Sequence, residues 1–123
     1  MKLERDLMKL IDQRLGVYQS SGEVIWYNRL NAGKVKTYYG SYLQLSKKGT
    51  PDYIALIRNR QEGITVLFIE AKSDTGKLRK EQRIFQAKYE KVDGIYFMCI
   101  TDIKDLDYWI DKNAKDFVKD ISI

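Results

Sequence analysis

Apolar and polar positions alternate along this chain with two periods, one typical of helices and one typical of strands. Helical spacing predicts a first helix over residues 2–15 that ends at Gly16. Its apolar stripe consists of Leu3, Leu7, Leu10, Ile11 and Leu15. A segment rich in β-forming residues then predicts a strand over residues 23–30.

The middle of the chain predicts two further strands, 52–58 and 64–72, joined by a turn at 60–63. Pro51 suits the start of the first of them, because proline cannot donate a backbone hydrogen bond within a sheet. Residues 35–45 fit either an irregular strand or a loop. Turns are predicted on both sides of that segment, at 31–34 and 47–51.

The second half of the chain predicts a helix over 78–91, an apolar strand over 94–101 and a last helix that Thr101 or Asp102 could cap. The apolar stripes of these two helices are Leu78, Phe85, Tyr89 and Val92, and Ile103, Leu106, Trp109 and Ile110. The strand–helix–strand unit at 64–101 should place two parallel strands side by side through a right-handed crossover. We therefore predict a single domain over residues 1–123, of class α/β, with a small mixed sheet flanked by helices.

The chain contains no histidine and one cysteine. Catalysis by Ser-His-Asp or Cys-His arrangements, zinc-histidine sites and thiolate metal clusters are therefore excluded. Any metal ion would be held by oxygen ligands, so Mg²⁺ or Mn²⁺ is favoured.

The cysteine, Cys99, stands in the apolar stretch 95–100, where we expect a buried and inert thiol. It has no second cysteine with which to form an internal disulfide, which fits a reducing compartment. The N-terminal residues are too charged for a signal peptide, and no apolar run approaches the length of a membrane span. We therefore expect a cytoplasmic protein with no membrane contact.

The net charge of +5 is unevenly distributed. Residues 29–91 carry fourteen Lys and Arg against six Asp and Glu, whereas residues 92–123 carry four Lys against seven Asp. A basic segment of this kind is expected around a polyanionic substrate. A solvated, lysine-rich surface is the alternative explanation.

Two acids and a lysine stand at the ends of the two central predicted strands. Asp52 opens the first strand, and Glu70, Ala71 and Lys72 close the second. Strand alternation places Glu70 and Lys72 on one face, and an antiparallel hairpin would bring Asp52 near Glu70. Two carboxylates and the backbone carbonyl of Ala71 could bind Mg²⁺ beside a phosphodiester, while Lys72 orients a water or stabilises developing charge. The alternative is a solvated strand end.

Two other polar residues could join this site. Gln82 shares the apolar stripe of its helix, so its amide needs a partner: a metal-bound water or phosphate, or a backbone carbonyl. Glu4 stands at the edge of the first helical stripe and could add a ligand to a metal or water. An exposed glutamate favoured by the helix dipole is the alternative for Glu4.

Basic residues on both sides of the acids could bind DNA phosphates. Those in the loop and helix after the second strand are Lys77, Arg79, Lys80 and Arg83, and those on the other side are Lys34, Lys36, Lys47 and Lys48. Tyr38, Tyr39 and Tyr42 are interleaved with the second group and could stack on unpaired bases. Core packing or a subunit interface is the commoner fate of such tyrosines.

Three segments together resemble the VRR-NUC domain, a branch of the PD-(D/E)xK nuclease superfamily. They are Gly-Thr-Pro-Asp at 49–52, Phe-Ile-Glu-Ala-Lys at 68–72 and Gly-Lys-Leu-Arg-Lys-Glu-Gln at 76–82. The similarity spans roughly residues 49–101. The length of 123 residues is similar to that of the stand-alone VRR-NUC proteins of bacteriophages.

This resemblance implies a restriction-endonuclease-like fold and phosphodiester hydrolysis that depends on Mg²⁺ or Mn²⁺. It implies metal binding by Asp52, Glu70 and the carbonyl of Ala71, and a catalytic lysine at Lys72. Glu4 matches the helix-1 glutamate of the family by approximate position only. Stand-alone viral members are similar to junction-resolving enzymes, which implies a homodimer that cuts four-way (Holliday) DNA junctions, in the host cytoplasm if the protein is phage-encoded.

Two other functions stay open from the sequence. One is a nucleic-acid-binding module that does not cut, although such a module gains nothing from acids placed beside phosphate. The other is an accessory subunit of a larger nuclease, which would dimerise through an aromatic surface. That surface would consist of Trp26, Tyr38, Tyr39 and Tyr42.

Overall fold

The computed structural model describes residues 3–30, 34–44 and 47–116. The elements are α1 (Glu4–Ser21), β1 (Val24–Arg29), β2 (Lys34–Lys36), β3 (Tyr42–Gln44), β4 (Tyr53–Arg58), β5 (Ile64–Ala71), α2 (Lys80–Tyr89), β6 (Ile95–Ile100) and α3 (Ile103–Asn113). Four of the strands form one sheet in the order β1-β4-β5-β6, and β2 pairs with β3 in a separate antiparallel hairpin. The predicted α/β class with a small mixed sheet is confirmed.

Two of the three strand pairs in the main sheet are antiparallel, and the third is parallel. β1 pairs with β4 and β4 with β5 in antiparallel register, whereas β5 and β6 are parallel and α2 connects them. A parallel pair needs a crossover connection, and the helix between β5 and β6 provides it. This fold is compatible with a small restriction-endonuclease-like core.

One face of the sheet packs against α1 and α3 and forms the main apolar core. From α1 the core takes Leu7, Ile11 and Leu15, which recur every four residues on one side of the helix. Leu3 and Leu10 were predicted to share this stripe, but 41% and 39% of their surfaces are exposed. A spacing of four residues defines a narrow apolar stripe on α1. Leu3 and Leu10 therefore lie beside the helix face that contacts the sheet and not on it.

The opposite face of the sheet is partly covered by α2 through aromatic side chains. The ring of Phe85 lies edge-on to Phe68 of β5, with 5.1 Å between the ring centroids, and also contacts Tyr89 and Phe97. Aromatic pairs at these distances add to the stability gained by burial alone. This cluster fixes the position of α2 over the strand that carries Glu70.

Several predicted boundaries were wrong by a few residues. The first helix continues through Gly16 to Ser21 and is capped by Gly22, whose φ of 99° is left-handed and whose N–H donates to the carbonyls of Tyr18 and Gln19. A glycine inside a helix costs only about 1 kcal/mol relative to alanine, so packing overrides it. The helix predicted at 78–91 starts later, so Leu78 precedes it and Val92 lies beyond it and is exposed.

The other predicted segments match the structure more closely. Asp102 caps α3, with its side chain accepting a hydrogen bond from the N–H of Lys104 at 2.9 Å. The segment predicted as an irregular strand or a loop forms the β2–β3 hairpin, while most of the turn predicted at 31–34 lies outside the described residues. Among the described residues, no helix is both long and apolar enough to cross a bilayer.

Candidate metal centre

Asp52 and Glu70 meet at one end of the sheet because β4 and β5 are antiparallel. Tyr53 pairs with Ile69 in the register, so Asp52, one residue earlier, lies beside the end of β5. The Oδ2 atom of Asp52 accepts a hydrogen bond from the N–H of Ala71 at 2.8 Å. The predicted approach of the two acids is therefore observed.

Glu4 completes a cluster of three carboxylates. One oxygen each from Glu4, Asp52 and Glu70 lies within 4.8 Å of the others, and Glu4 is exposed, Asp52 half-buried and Glu70 buried. The position of α1 relative to β4 is fixed by Tyr53, whose hydroxyl donates to the carbonyl of Met8 at 3.1 Å. The exposure of Glu4 agrees with the alternative of an exposed glutamate favoured by the helix dipole, but its carboxylate also lies at the candidate site.

The backbone of Ala71 presents its carbonyl toward the same acids. In a strand, the N–H and C=O of one residue leave on the same side, as the paired bonds of an antiparallel ladder require. The N–H of Ala71 donates to Asp52, whereas the next N–H, that of Lys72, donates to Ile100 on the other side. The Ala71 carbonyl is thus directed toward Asp52, as a ligand role requires.

Within the described part of the chain, one carboxylate oxygen of Glu70 has no hydrogen-bond partner. Only 3% of its surface is exposed, and its Oε1 accepts from the Nε2 of Gln82 at 2.7 Å, yet its Oε2 is buried without a hydrogen bond. An unsatisfied buried oxygen costs about 1–3 kcal/mol. The alternative of a solvated strand end is wrong for this residue, because the carboxylate is withdrawn from water.

Lys72 is also buried, with 7% of its surface exposed. Its Nζ lies 3.6 Å from the Oε1 of Glu70, on the same face of the sheet, as strand alternation predicted. A buried ammonium is stable only beside negative charge, and these acids provide it. Lys72 therefore belongs to the same cluster as the carboxylates.

Burial raises the pKa of both Asp52 and Glu70, and a neighbouring carboxylate adds to each shift. Burial, together with the charge of Asp52, raises the pKa of Glu70 to about 7, although Lys72 opposes the shift. Burial also raises the pKa of Asp52, against the lowering effect of its hydrogen bond from Ala71. A divalent cation would remove this repulsion and provide a partner for the free oxygen of Glu70, so the oxygen-only donor set fits Mg²⁺ or Mn²⁺.

The raised pKa predicts that the metal-free protein loses stability as the pH rises. The folded state holds a proton on Glu70 from its ordinary value of 4.5 up to about 7, whereas the unfolded state has released it. Between these values the free energy of unfolding therefore falls with pH, by up to about 3 kcal/mol. Urea unfolding in EDTA from about pH 4 to about pH 8 measures this slope. Millimolar Mg²⁺ should flatten it, and a slope unaffected by the cation would contradict the assignment.

Gln82 lies inward, as its place in the helical stripe predicted, but its partners differ from both alternatives considered. It is buried, its Nε2 donates to Glu70 and its Oε1 accepts from the backbone N–H of Arg79 at 2.8 Å. The amide therefore links the first turn of α2 to Glu70 and leaves the second carboxylate oxygen without a hydrogen bond from it. In this structure Gln82 is a positioning residue.

Cys99 was predicted to be buried, and this was wrong. It lies on the edge strand β6, paired in register with Glu70, and it is exposed. Desolvation, together with the charge of Glu70, raises the pKa of its thiol. Cys99 was not predicted to lie near the site, although the parallel pairing of the strands that end at Ala71 and Ile100 indicates it.

The predicted phosphate-binding residues are all exposed. They are Lys47, Lys48, Lys77, Arg79, Lys80 and Arg83. The loop at 47–50 packs against the first turn of α2, since Gly49 lies directly on the carbonyl of Glu81. Lys47 and Lys48 therefore lie on the α2 side of the site, and their predicted position on the opposite side was wrong. Lys36 is also exposed, and the side chain of Lys34 lies outside the described part of the chain.

Gly49 is required at this contact for two reasons. Its φ is +89°, and a Cβ there would lie 2.3 Å from the Glu81 carbonyl oxygen. We expect Gly49→Ala to lower the free energy of unfolding by about 3 kcal/mol, more than the 1–2 kcal/mol cost of a left-handed residue. Gly40 is the matched control, because its φ is +83° and a Cβ there would meet nothing within 4 Å. Equal losses in urea unfolding of the two variants would contradict the packing role of Gly49.

The aromatic residues predicted as a possible interface are in part exposed. Tyr38 and Tyr39 lie between β2 and β3 and are 97% and 92% exposed, and Trp26 on β1 is 45% exposed. The side chain of Tyr42 lies outside the described part of the chain. Core packing is therefore wrong for Tyr38 and Tyr39.

Comparisons of the chain with protein-family models, with curated proteins and with solved structures give no significant match.

Proposed function

We propose that this protein is a metal-dependent endonuclease that hydrolyses phosphodiester bonds in branched or structured DNA. The observation that carries the proposal is the buried carboxylate of Glu70, whose Oε2 has no hydrogen-bond partner among the described residues. This carboxylate clusters with those of Glu4 and Asp52, and a buried lysine lies beside it. Buried polar atoms in proteins nearly always have a hydrogen-bond partner or another ligand, so the free oxygen requires an explanation. Binding of a divalent cation provides one, because the surrounding donors are all oxygen atoms. The resemblance to the VRR-NUC domain implies the same chemistry.

In this proposal Asp52, Glu70, Glu4 and the carbonyl of Ala71 hold Mg²⁺ or Mn²⁺. The bound cation would neutralise charge on the scissile phosphate and lower the pKa of a water. Gln82 donates to one oxygen of Glu70, which leaves the other available to a cation. The hydrogen bond from Ala71 holds Asp52 in the same way. The protein thus orients its ligands before the cation binds.

In the same proposal Lys72 assists the hydrolysis of the phosphodiester bond. Its ammonium lies close enough to Glu70 to favour the ionised carboxylate, and it can donate to a water or to a phosphate oxygen that enters the cluster. A donor held in a water-poor site stabilises developing negative charge more strongly than one in bulk solvent. Burial of Lys72 supports this role over that of a surface counter-ion.

The DNA would lie along the exposed basic side chains next to the first turn of α2. Replacing Lys77, Lys80 and Arg83 with alanine should weaken DNA binding at low salt and reduce the slope of log affinity against log salt by about 2–3. A matched triple variant, Lys9, Lys104 and Lys112 to alanine, removes three exposed cations from α1 and α3. An equal loss in both variants, measured by fluorescence anisotropy in EDTA, would refute a specific phosphate path.

A homodimer is part of the proposal, because resolving a four-way junction requires two nicks and one chain carries one site. We also place the protein in a reducing cytoplasm, where its one cysteine would stay a free thiol. Sedimentation of the isolated chain, alone and on a junction, measures the assembly. A monomer on the junction would leave single nicking of branched DNA as the activity.

The decisive experiment incubates the purified protein with a four-way junction, a flap and a plain duplex, each with Mg²⁺, with Mn²⁺ and with EDTA. We expect cutting of a branched substrate with either cation and none in EDTA. The absence of cutting on all three substrates, with DNA binding retained, would instead favour a non-cleaving nucleic-acid-binding module. Equal cutting in EDTA would refute the metal centre.

A further inference from the structure

The β2–β3 hairpin carries two tyrosines that contact almost nothing else in the described chain. Tyr38 is 97% exposed and Tyr39 is 92% exposed, and their rings contact each other edge-on with centroids 5.5 Å apart. Tyrosine presents a large aromatic face that is usually buried or in contact with a partner. Two adjacent faces left in solvent therefore indicate that something outside the chain covers them.

The turn geometry places both rings at the tip. The N–H of Gly40 donates to the carbonyl of Thr37 at 3.0 Å, and the N–H of Thr37 donates to the carbonyl of Ser41 at 2.7 Å. Gly40 has a left-handed φ of 83°, as the glycine that follows a β-turn in a three-residue hairpin loop requires. Tyr38 and Tyr39 are thereby the two central residues of the turn, and the Thr37 and Ser41 hydroxyls join across its base at 2.7 Å.

The segment that contains the hairpin starts from the end of the sheet that holds the candidate metal centre. The chain leaves this end at Leu30, whose N–H donates to the carbonyl of Asp52 at 2.7 Å, and it returns through Gly49 beside α2. Tyr38 is eight residues beyond Leu30, so the tip lies at most about 28 Å from it. That reach is shorter than one turn of duplex DNA, about 34 Å.

The charge of this segment favours a polyanion as the partner. Between Glu23 and Asp52 the sequence contains no acidic residue and five basic ones, which are Arg29, Lys34, Lys36, Lys47 and Lys48. A second copy of the chain would bring the same positive charge against itself at this hairpin, which disfavours a symmetric contact. Cationic surface combined with exposed aromatic rings is the arrangement by which proteins bind unpaired nucleotides.

We propose that Tyr38 and Tyr39 form a platform on which unpaired DNA bases stack beside the cutting site. The choice of DNA as the nucleic acid rests on the function proposed above. Stacking needs only a ring face, so the platform would select unpaired nucleotides without reading their sequence. It would thus favour DNA with open or splayed bases over plain duplex.

The test measures binding to oligo(dT) and to a four-way junction by anisotropy in EDTA, where no cutting occurs. Tyr38→Ala with Tyr39→Ala should weaken oligo(dT) binding about tenfold or more, whereas Tyr38→Phe with Tyr39→Phe, which keeps the rings, should retain it. Tyr108→Ala is the matched control, since Tyr108 is 63% exposed on α3. Quenching of 2-aminopurine in the oligonucleotide should be lost with the rings and kept in both other variants.

Each outcome tests the stacking platform independently of the proposed nuclease activity. Unchanged affinity in the double alanine variant overturns the platform even if the protein cuts DNA. Ring-dependent binding by a protein that never cuts supports the platform and refutes the endonuclease. Loss of dimer in sedimentation, with DNA affinity unchanged, assigns the tyrosines to a subunit interface and overturns the inference.

Discussion

Replacing Glu70 with glutamine is expected to abolish metal-dependent DNA cutting while raising the stability of the metal-free protein. The loss of cutting should be at least about 100-fold, because the change removes one charge from a cluster of three carboxylates and with it the affinity for a divalent cation. Most core substitutions lower stability, so an inactive variant with a higher melting temperature would be distinctive.

The gain in stability follows from the environment of Glu70. Burial and the charge of Asp52 raise its pKa to about 7, so the ionised carboxylate destabilises the folded state at higher pH. Glutamine keeps an oxygen that can accept from Gln82, and its amide can donate to the neighbouring carboxylates where Oε2 now has no partner. The gain should be absent near pH 4.5, where wild-type Glu70 is itself protonated, grow as the pH rises, and be complete above about pH 7.

Thermal unfolding in EDTA at several pH values, together with cutting assays, tests this prediction. We expect the melting temperature to rise by about 3 °C or more near pH 8. Glu90→Gln is the matched control, because Glu90 is exposed at the end of α2 and should change neither property. Lower stability in Glu70→Gln, or cutting at the wild-type rate, would contradict the metal-centre assignment.

Strand alternation and element order predicted much of the site before its geometry was known. The period of two along β5 placed Glu70 and Lys72 on one face, and a hairpin between β4 and β5 brought Asp52 to them. These are backbone properties, which the pattern of apolar residues largely determines. The stripe of α2 likewise predicted that Gln82 points inward.

The burial of the site residues and the identity of their partners could not be predicted in the same way. Whether a charged residue at a strand end is solvated or buried depends on what covers it, here the first turn of α2 above Glu70. The exposure of Cys99 similarly depends on what packs over the edge strand that carries it. The contact of Gly49 with Glu81 joins segments more than thirty residues apart, so no local pattern contains it.

Replacing Lys72 with methionine should reduce metal-dependent cutting about 100-fold or more near neutral pH and move its pH dependence upward. Methionine keeps an unbranched apolar side chain in the buried position but removes the charge 3.6 Å from Glu70. The ammonium lowers the pKa of Glu70 in the wild-type protein, so its loss raises that pKa above about 7. Less of the ionised ligand is then present at neutral pH, and cation binding weakens.

The pH dependence of the cutting rate distinguishes an effect of Lys72 on the ionisation of Glu70 from a direct effect of its ammonium on the reaction. If Lys72 acts only by keeping Glu70 ionised, then raising the pH by about two units should restore the cutting rate. If its ammonium also donates to the reacting water or phosphate, a deficit of about 100-fold should persist at high pH and saturating Mg²⁺. We expect the persistent deficit, because Lys72 is buried within the cluster. Lys88→Met, which removes an exposed cation from α2, should leave the profile unchanged, and wild-type cutting by Lys72→Met at every pH would exclude a catalytic role for the lysine.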